Sequence, residues 1–216
     1  GDFVTNNKHL LFGEASVTQS ILASDGLPKK CIVKNGITTL LDEFFISSNF
    51  TFTQHTIPIV KASTGVKERC IFPYNELGRL ITYDALQSDT EINKRYLDYK
   101  SRLLSRDLQK GTAWYEFGRA QGIKDVFKQK YSVNNLIRGK EDIKLVSCPS
   151  GTGVYGGLYI LTSLTERTLR NLLVSDDFSD YVKTLGKYKS GGYYTFSSKE
   201  LQLYLNYKLA RVNLME

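Results

Sequence analysis

Between residues 31 and 75 the apolar side chains come in runs of only three or four, each broken by polar or turn-forming residues. Cys31-Ile32-Val33 stops at Asn35-Gly36, a turn signal, and Phe44-Phe45-Ile46, Ile57–Val60 and Cys70-Ile71-Phe72 follow as further β-prone runs. This spacing predicts an irregular, loop-rich sheet. Short β-prone runs return at Asn135–Arg138, Ile143–Ser147 and Leu158–Leu161. The last third changes period. Ser163-Leu164-Thr165-Glu166 and Ser197-Ser198-Lys199-Glu200 are capping-box patterns, each followed by apolar residues at helical spacing. Asp176–Leu185 is predicted as a further helix, ending at Gly186. Strands first and helices last is the pattern of an α+β fold.

One helix is predicted inside the strand-rich part, over residues 94–109. Tyr96, Leu97, Lys100, Leu103, Leu104 and Leu108 form its apolar stripe, with Arg95, Asp98, Arg102 and Arg106 opposite. A short helix around Val17–Ala23 and a turn at Asp25-Gly26-Leu27-Pro28 lead in. The four prolines are dispersed and no linker divides the chain, so residues 1–216 are expected to form one domain.

No segment approaches the ~18 consecutive apolar residues of a membrane helix. The start of the chain lacks the basic-then-apolar pattern of a signal peptide, and without Met it suggests a piece of a longer protein or a tag remnant. Cys31, Cys70 and Cys148 are odd in number and far apart, which argues against a disulfide framework and for a reducing cytoplasm. Charge is concentrated. Of 29 Lys+Arg and 22 Asp+Glu, residues 94–144 hold 13 basic and 6 acidic side chains, so they account for the whole net charge of +7. A basic middle in an otherwise balanced chain points to one polyanion-facing side.

Catalytic patterns are thin. His9 and His55 have no obvious partners, and no Cys/His spacing suggests zinc. Asp142-Ile143-Lys144 is only a fragment of a nuclease-like metal pattern. Gly151-Thr152-Gly153-Val154-Tyr155-Gly156 has phosphate-loop spacing but runs into a strand-like segment instead of a helix, so it reads as a glycine-rich turn between two strands. Two aromatic, basic clusters are better candidates. In Trp114–Gly122, Arg119 and Gln121 carry ends able to contact guanine and adenine in a bidentate manner. In Lys187–Tyr194, lysines, tyrosines and glycines suit phosphate contacts and base stacking.

The order of blocks resembles a known family. Asn35-Gly36-Ile37-Thr38-Thr39-Leu40-Leu41-Asp42-Glu43-Phe44-Phe45-Ile46 is similar to the NGIATLxDxxFI segment of specificity domains from TaqI-like N6-adenine DNA methyltransferases of restriction–modification systems. Phe72-Pro73-Tyr74 resembles their YPY, Tyr96–Arg106 their YLxxYKxxLxxR, and Trp114–Gln121 their WYxYGRSQ, with Ala120 in place of Ser. Ser190–Tyr194 through Tyr204-Leu205-Asn206 resembles the closing segment.

The resemblance implies an irregular, double β-helix-like region followed by a C-terminal α-helical hairpin. It implies a double-stranded DNA target-recognition module of an adenine-specific methyltransferase, cytoplasmic in a bacterium or archaeon and covalently linked to a catalytic domain. That domain would carry the Asn/Asp-Pro-Pro-Tyr and Phe-x-Gly-x-Gly motifs and bind S-adenosylmethionine. This chain contains neither motif, so no catalytic, cofactor or metal residue is expected in it. The DNA-binding residues expected are Lys34, Trp114, Tyr115, Arg119, Gln121, Lys189, Tyr193 and Tyr194. Half of a Type I specificity subunit is an alternative, although the heptads of its spacer are absent. A stand-alone enzyme using His55 as base is another.

Overall fold

The computed structural model describes residues 15–215, and side chains over residues 15–212; His9 lies outside them. The fold is mixed α+β. Strands β1 (Cys31–Asn35), β5 (Lys130–Val133), β7 (Leu145–Cys148) and β9 (Leu158–Thr162) form an antiparallel sheet in the order β1-β9-β5-β7. Strands β2 (Ile46–Ser47), β3 (Thr56–Lys61), β4 (Val66–Ile71) and β8 (Gly153–Tyr155) form a second sheet in the order β2-β4-β3-β8, in which β3 and β8 run parallel. A small third sheet joins β10 (Tyr188–Lys189) and β11 (Tyr193–Thr195) to β6 (Leu136–Ile137).

Each large sheet has its own apolar core. Helices α1 (residues 15–22), α5 (Glu166–Leu173), α6 (Asp176–Leu185) and α7 (Ser198–Met215) cover the first sheet with Ile21, Leu169, Leu173, Phe178, Tyr181 and Tyr204. Helices α2 (Asp42–Phe45), α3 (Tyr83–Gln87) and α4 (Thr90–Leu104) cover the second with Phe44, Phe45, Leu86, Ile92, Tyr96 and Leu103. Val60, Ala62, Cys148, Val154 and Tyr159 form a smaller cluster that draws on strands of both sheets.

Strand β1 is an edge, and α7 closes it. Asn206 accepts from the Cys31 amide at 2.9 Å and donates to its carbonyl at 3.0 Å, while Gln202 accepts from the Val33 amide at 2.9 Å. Side-chain amides thus take the place of a further strand and satisfy an otherwise open ladder.

Three local expectations are corrected. Phe44 and Phe45 lie in the helical turn α2, and only Ile46 begins a strand. A strand would send the two rings to opposite faces. Here both enter one core, Phe44 against Tyr96 and Phe45 against Phe117. The central helix spans Thr90–Leu104, capped by Asp89, and its buried face is Ile92, Tyr96 and Leu103. Leu97 and Leu104 are exposed. Arg95 and Arg106, expected in solvent, instead donate to carbonyls of Phe44 and Thr39. The helix is rotated from the expected stripe, and Arg95 within it and Arg106 just beyond its end use their donors on the neighbouring loop. At α5 the cap is Thr165, two residues later than the capping-box pattern placed it. The capping box at α7 forms as expected, with Ser197 and Glu200 each accepting from the other's amide. Helix α6 has the expected bounds and ends at Gly186 with φ 74°.

Candidate nucleic-acid interface

The site is built around the crossover that follows β1. Asn35-Gly36 does not reverse the chain. Residues 36–37 pass from the first sheet to the second, with the Gly36 amide donating to the Gly157 carbonyl at 3.0 Å and the Ile37 amide to Val154 at 2.7 Å. A Cβ at Gly36 would stand 2.6 Å from the Val154 carbonyl oxygen, so only glycine fits this approach. On the other side of the crossover lies the Trp114–Gly122 segment. The Arg119 amide donates to Thr38 at 3.1 Å and the Gly118 amide to Thr39 at 3.0 Å. The segment bends instead of running extended.

Two expected residues, Lys34 and Gln121, meet here on one cleft of about 740 Å³, lined also by Lys124, Asp125, Lys128 and Tyr159. Gln121 donates to the Gly36 carbonyl at 2.7 Å and to the Thr38 hydroxyl at 2.9 Å. Arg119 stands two residues before Gln121 and does not line the cleft. Its guanidinium donates to the carbonyls of Asp107 at 2.9 Å and Gly118 at 2.8 Å, so a backbone loop orients it and no carboxylate neutralises it among the described residues.

Asp125 organises the lysines. It is 4% exposed and meets Lys34 at 3.0 Å, Lys128 at 2.9 Å and the Tyr159 hydroxyl at 2.6 Å. Burial works against its ionised form, but these three donors outweigh burial and hold its carboxyl down at about 2. The same burial, with Asp125 beside it, pushes the Tyr159 phenol far up. Lys34 and Lys128 keep side chains that are 50% and 59% exposed, so the pairing fixes where they stand and leaves them open to solvent.

The other expected residues are placed elsewhere. Trp114 and Tyr115 pack into an aromatic group with Tyr83 and Tyr96, and the Tyr115 hydroxyl donates to the Ile81 carbonyl at 2.7 Å. Both are half-buried supports for the segment that carries Arg119. Lys189, Tyr193 and Tyr194 belong to the β10–β11 hairpin. Lys189 is exposed, Tyr193 lies under the Arg138 guanidinium at 4.9 Å, and Tyr194 packs edge-on to the exposed Tyr188. Gly191 and Gly192 hold φ of 75° and 82° at its tip, where a side chain would be strained.

The basic middle is largely used internally. Arg95 and Arg106 serve backbone carbonyls, Arg102 pairs with Glu43, Arg138 with Asp142 and Lys140 with Asp176. Lys130 is buried, and its amine donates to Val126 at 3.1 Å and Lys128 at 3.0 Å. Lys124, Lys128 and the Asp125 anchor were not singled out beforehand. The charge count contained the two lysines, but no sequence signal marks a buried aspartate that pairs across 91 residues.

Of the remaining candidates, Gly153 lies in β8 and packs against Ile37, Ile57 and Ile59. The turn before β9 is Gly156-Gly157. His55 occupies a loop position with φ 58°. Among the described residues no group of three or more His, Cys, Asp or Glu could hold a metal ion, and no helix is long and apolar enough to cross a membrane. No family model and no curated protein matches the sequence.

Proposed function

We propose that the chain is a sequence-specific duplex DNA recognition module of an N6-adenine DNA methyltransferase from a restriction–modification system. The observation that carries this reading is the convergence at the crossover. The block resembling NGIATLxDxxFI and the block resembling WYxYGRSQ hydrogen-bond to one another, and together they bring Gln121 to the cleft lysines, with Arg119 two residues before it on the same segment. Arg119 would read a base edge and the Gln121 side-chain oxygen, whose amide hydrogens hold the crossover, would accept from one, while Lys34, Lys124 and Lys128 would stand by phosphates. The β10–β11 hairpin, with Lys189 and exposed tyrosine surface, would add a second backbone contact.

In this reading the β-rich region is double β-helix-like and the C-terminal helices form the family's hairpin. The linked catalytic domain supplies the adenine pocket and S-adenosylmethionine, and takes the target base out of the stack. The setting is the cytoplasm of a bacterium or archaeon.

The test is selection from a random-sequence duplex pool by the purified chain at low salt. Enrichment of one short site containing adenine supports the reading. Failure to retain duplex at low salt, or retention with no sequence enriched, overturns it.

A further inference from the structure

Leu40 is the one feature of this face that polar contacts do not explain. It is 40% exposed and holds φ at 63°, a conformation that a leucine adopts only under constraint. The backbone on either side of it is hydrogen-bonded. Thr39 is buried, its carbonyl accepts from the Gly118 amide and from Arg106 at 2.6 Å, and its hydroxyl accepts from the Leu41 amide at 3.0 Å. The chain must therefore turn at position 40 to enter α2, and glycine or asparagine would make that turn with less strain. The facing segment is also adapted, because a Cβ at position 118 would overlap the Leu40 side chain. A glycine at 118 thus leaves room for a leucine at 40, which packs on position 118, next to Arg119 in the chain, and keeps 40% of its surface exposed.

Strain that persists where a cheaper residue would fit points to a use for the side chain. An isobutyl group gains nothing from a phosphate. Packed on Gly118, next to Arg119 in the chain, its available partners on duplex DNA are the apolar parts of bases. Resting on the DNA-recognition reading above, we propose that Leu40 is the apolar base contact of this face and packs on the C5-methyl group of a thymine in the major groove. Arg119 would then read a base edge while Leu40 senses the methyl that distinguishes thymine there.

The test uses the duplex that the wild-type chain enriches from a random pool, and its copies with single thymines replaced by deoxyuridine. For wild type, one replacement should weaken binding about fourfold, the loss of one buried methyl. Leu40→Asn, whose side chain tolerates positive φ, should melt at the same or a higher temperature. It should bind the parent duplex at least about fourfold more weakly and no longer distinguish thymine from deoxyuridine. Equal binding of all copies by wild type overturns the proposal, as does full methyl discrimination by Leu40→Asn. If the wild-type chain enriches no duplex, the DNA reading itself falls and this proposal with it. Enrichment without a methyl effect removes only the role of Leu40.

Discussion

The Gln121 side-chain amide donates to the Thr38 hydroxyl at 2.9 Å across 83 residues of sequence. This bond ties the crossover between the two sheets to the segment that carries Arg119. A Gln121→Ala, Thr38→Val double-mutant cycle should show a coupling of about 0.5–1.5 kcal/mol in urea unfolding. A coupling near zero would mean that the two segments are held by their backbone bonds alone.

Arg106 should matter more to stability than any other arginine of the central region. Its guanidinium donates to Leu103, Thr39 and Trp114 carbonyls at 3.1, 2.6 and 2.9 Å. Burial holds its pKa below the usual value. Arg106→Ala should cost about 2–3 kcal/mol, because it leaves these carbonyls without their charged donor. Arg106→Lys should recover only part, since an ammonium cannot match a planar fork. Equal stability of Arg106→Lys and wild type would refute the geometric argument.

Asp125 sets an acid limit. Its carboxyl sits at about 2, against an ordinary value of 3.8. A depressed carboxylate contributes stability that is present above pH 3.8 and lost as pH falls toward 2. Unfolding free energy should therefore drop by up to about 2 kcal/mol over that window beyond the loss seen in Asp125→Asn. Parallel acid profiles for the two proteins would contradict the assigned pairing with Lys34, Lys128 and Tyr159.

Lys130 acts in the opposite direction at alkaline pH. Burial brings its amine down to about 8 from 10.5, with Cys148 and Asp125 opposing the shift. Between those values the unfolded chain holds a proton that the folded chain has released, so this group adds stability as pH rises. Ionising tyrosines and cysteines mask the effect in a single profile. The stability of wild type minus that of Lys130→Met isolates it, and should rise by up to about 3 kcal/mol from pH 8 to 10.5. A flat difference would place the amine in contact with water.

Duplex binding should respond to salt. With Lys34, Lys124, Lys128 and Lys189 as four phosphate neighbours, the log–log dependence of affinity on salt should have a slope of about −3.6. Lys189→Ala should reduce the slope by about 0.9 and weaken all duplexes alike. Arg119→Ala should leave the slope nearly unchanged, cost about 1–3 kcal/mol on the enriched site and relax preference at one base pair. Loss of melting temperature in Arg119→Ala with an unchanged base preference would assign Arg119 to the fold alone.

Local periodicity and capping chemistry determined much of the secondary structure. The capping box at Ser197–Glu200, the Gly186 stop after α6 and the strand at Leu158 are written in neighbours within a few residues, so the sequence alone reveals them. The tertiary structure decided the rest. Phe44-Phe45 is helical because two rings must enter one core, and Arg95 of α4 and Arg106 beyond its end turn to the Phe44 and Thr39 carbonyls of a segment distant in sequence. The Asn-Gly pair looked like a turn because that dipeptide usually reverses a chain. Here the close approach of Val154 makes it a crossover. Lys34, Arg119 and Gln121 could be chosen from side-chain chemistry alone, since charge and bidentate ends are properties of single residues. The meeting of Lys34 and Gln121 at one cleft, the buried Asp125 that holds the lysines in place and the strained Leu40 packed on Gly118 depend on contacts between distant segments, and no local pattern encodes those contacts.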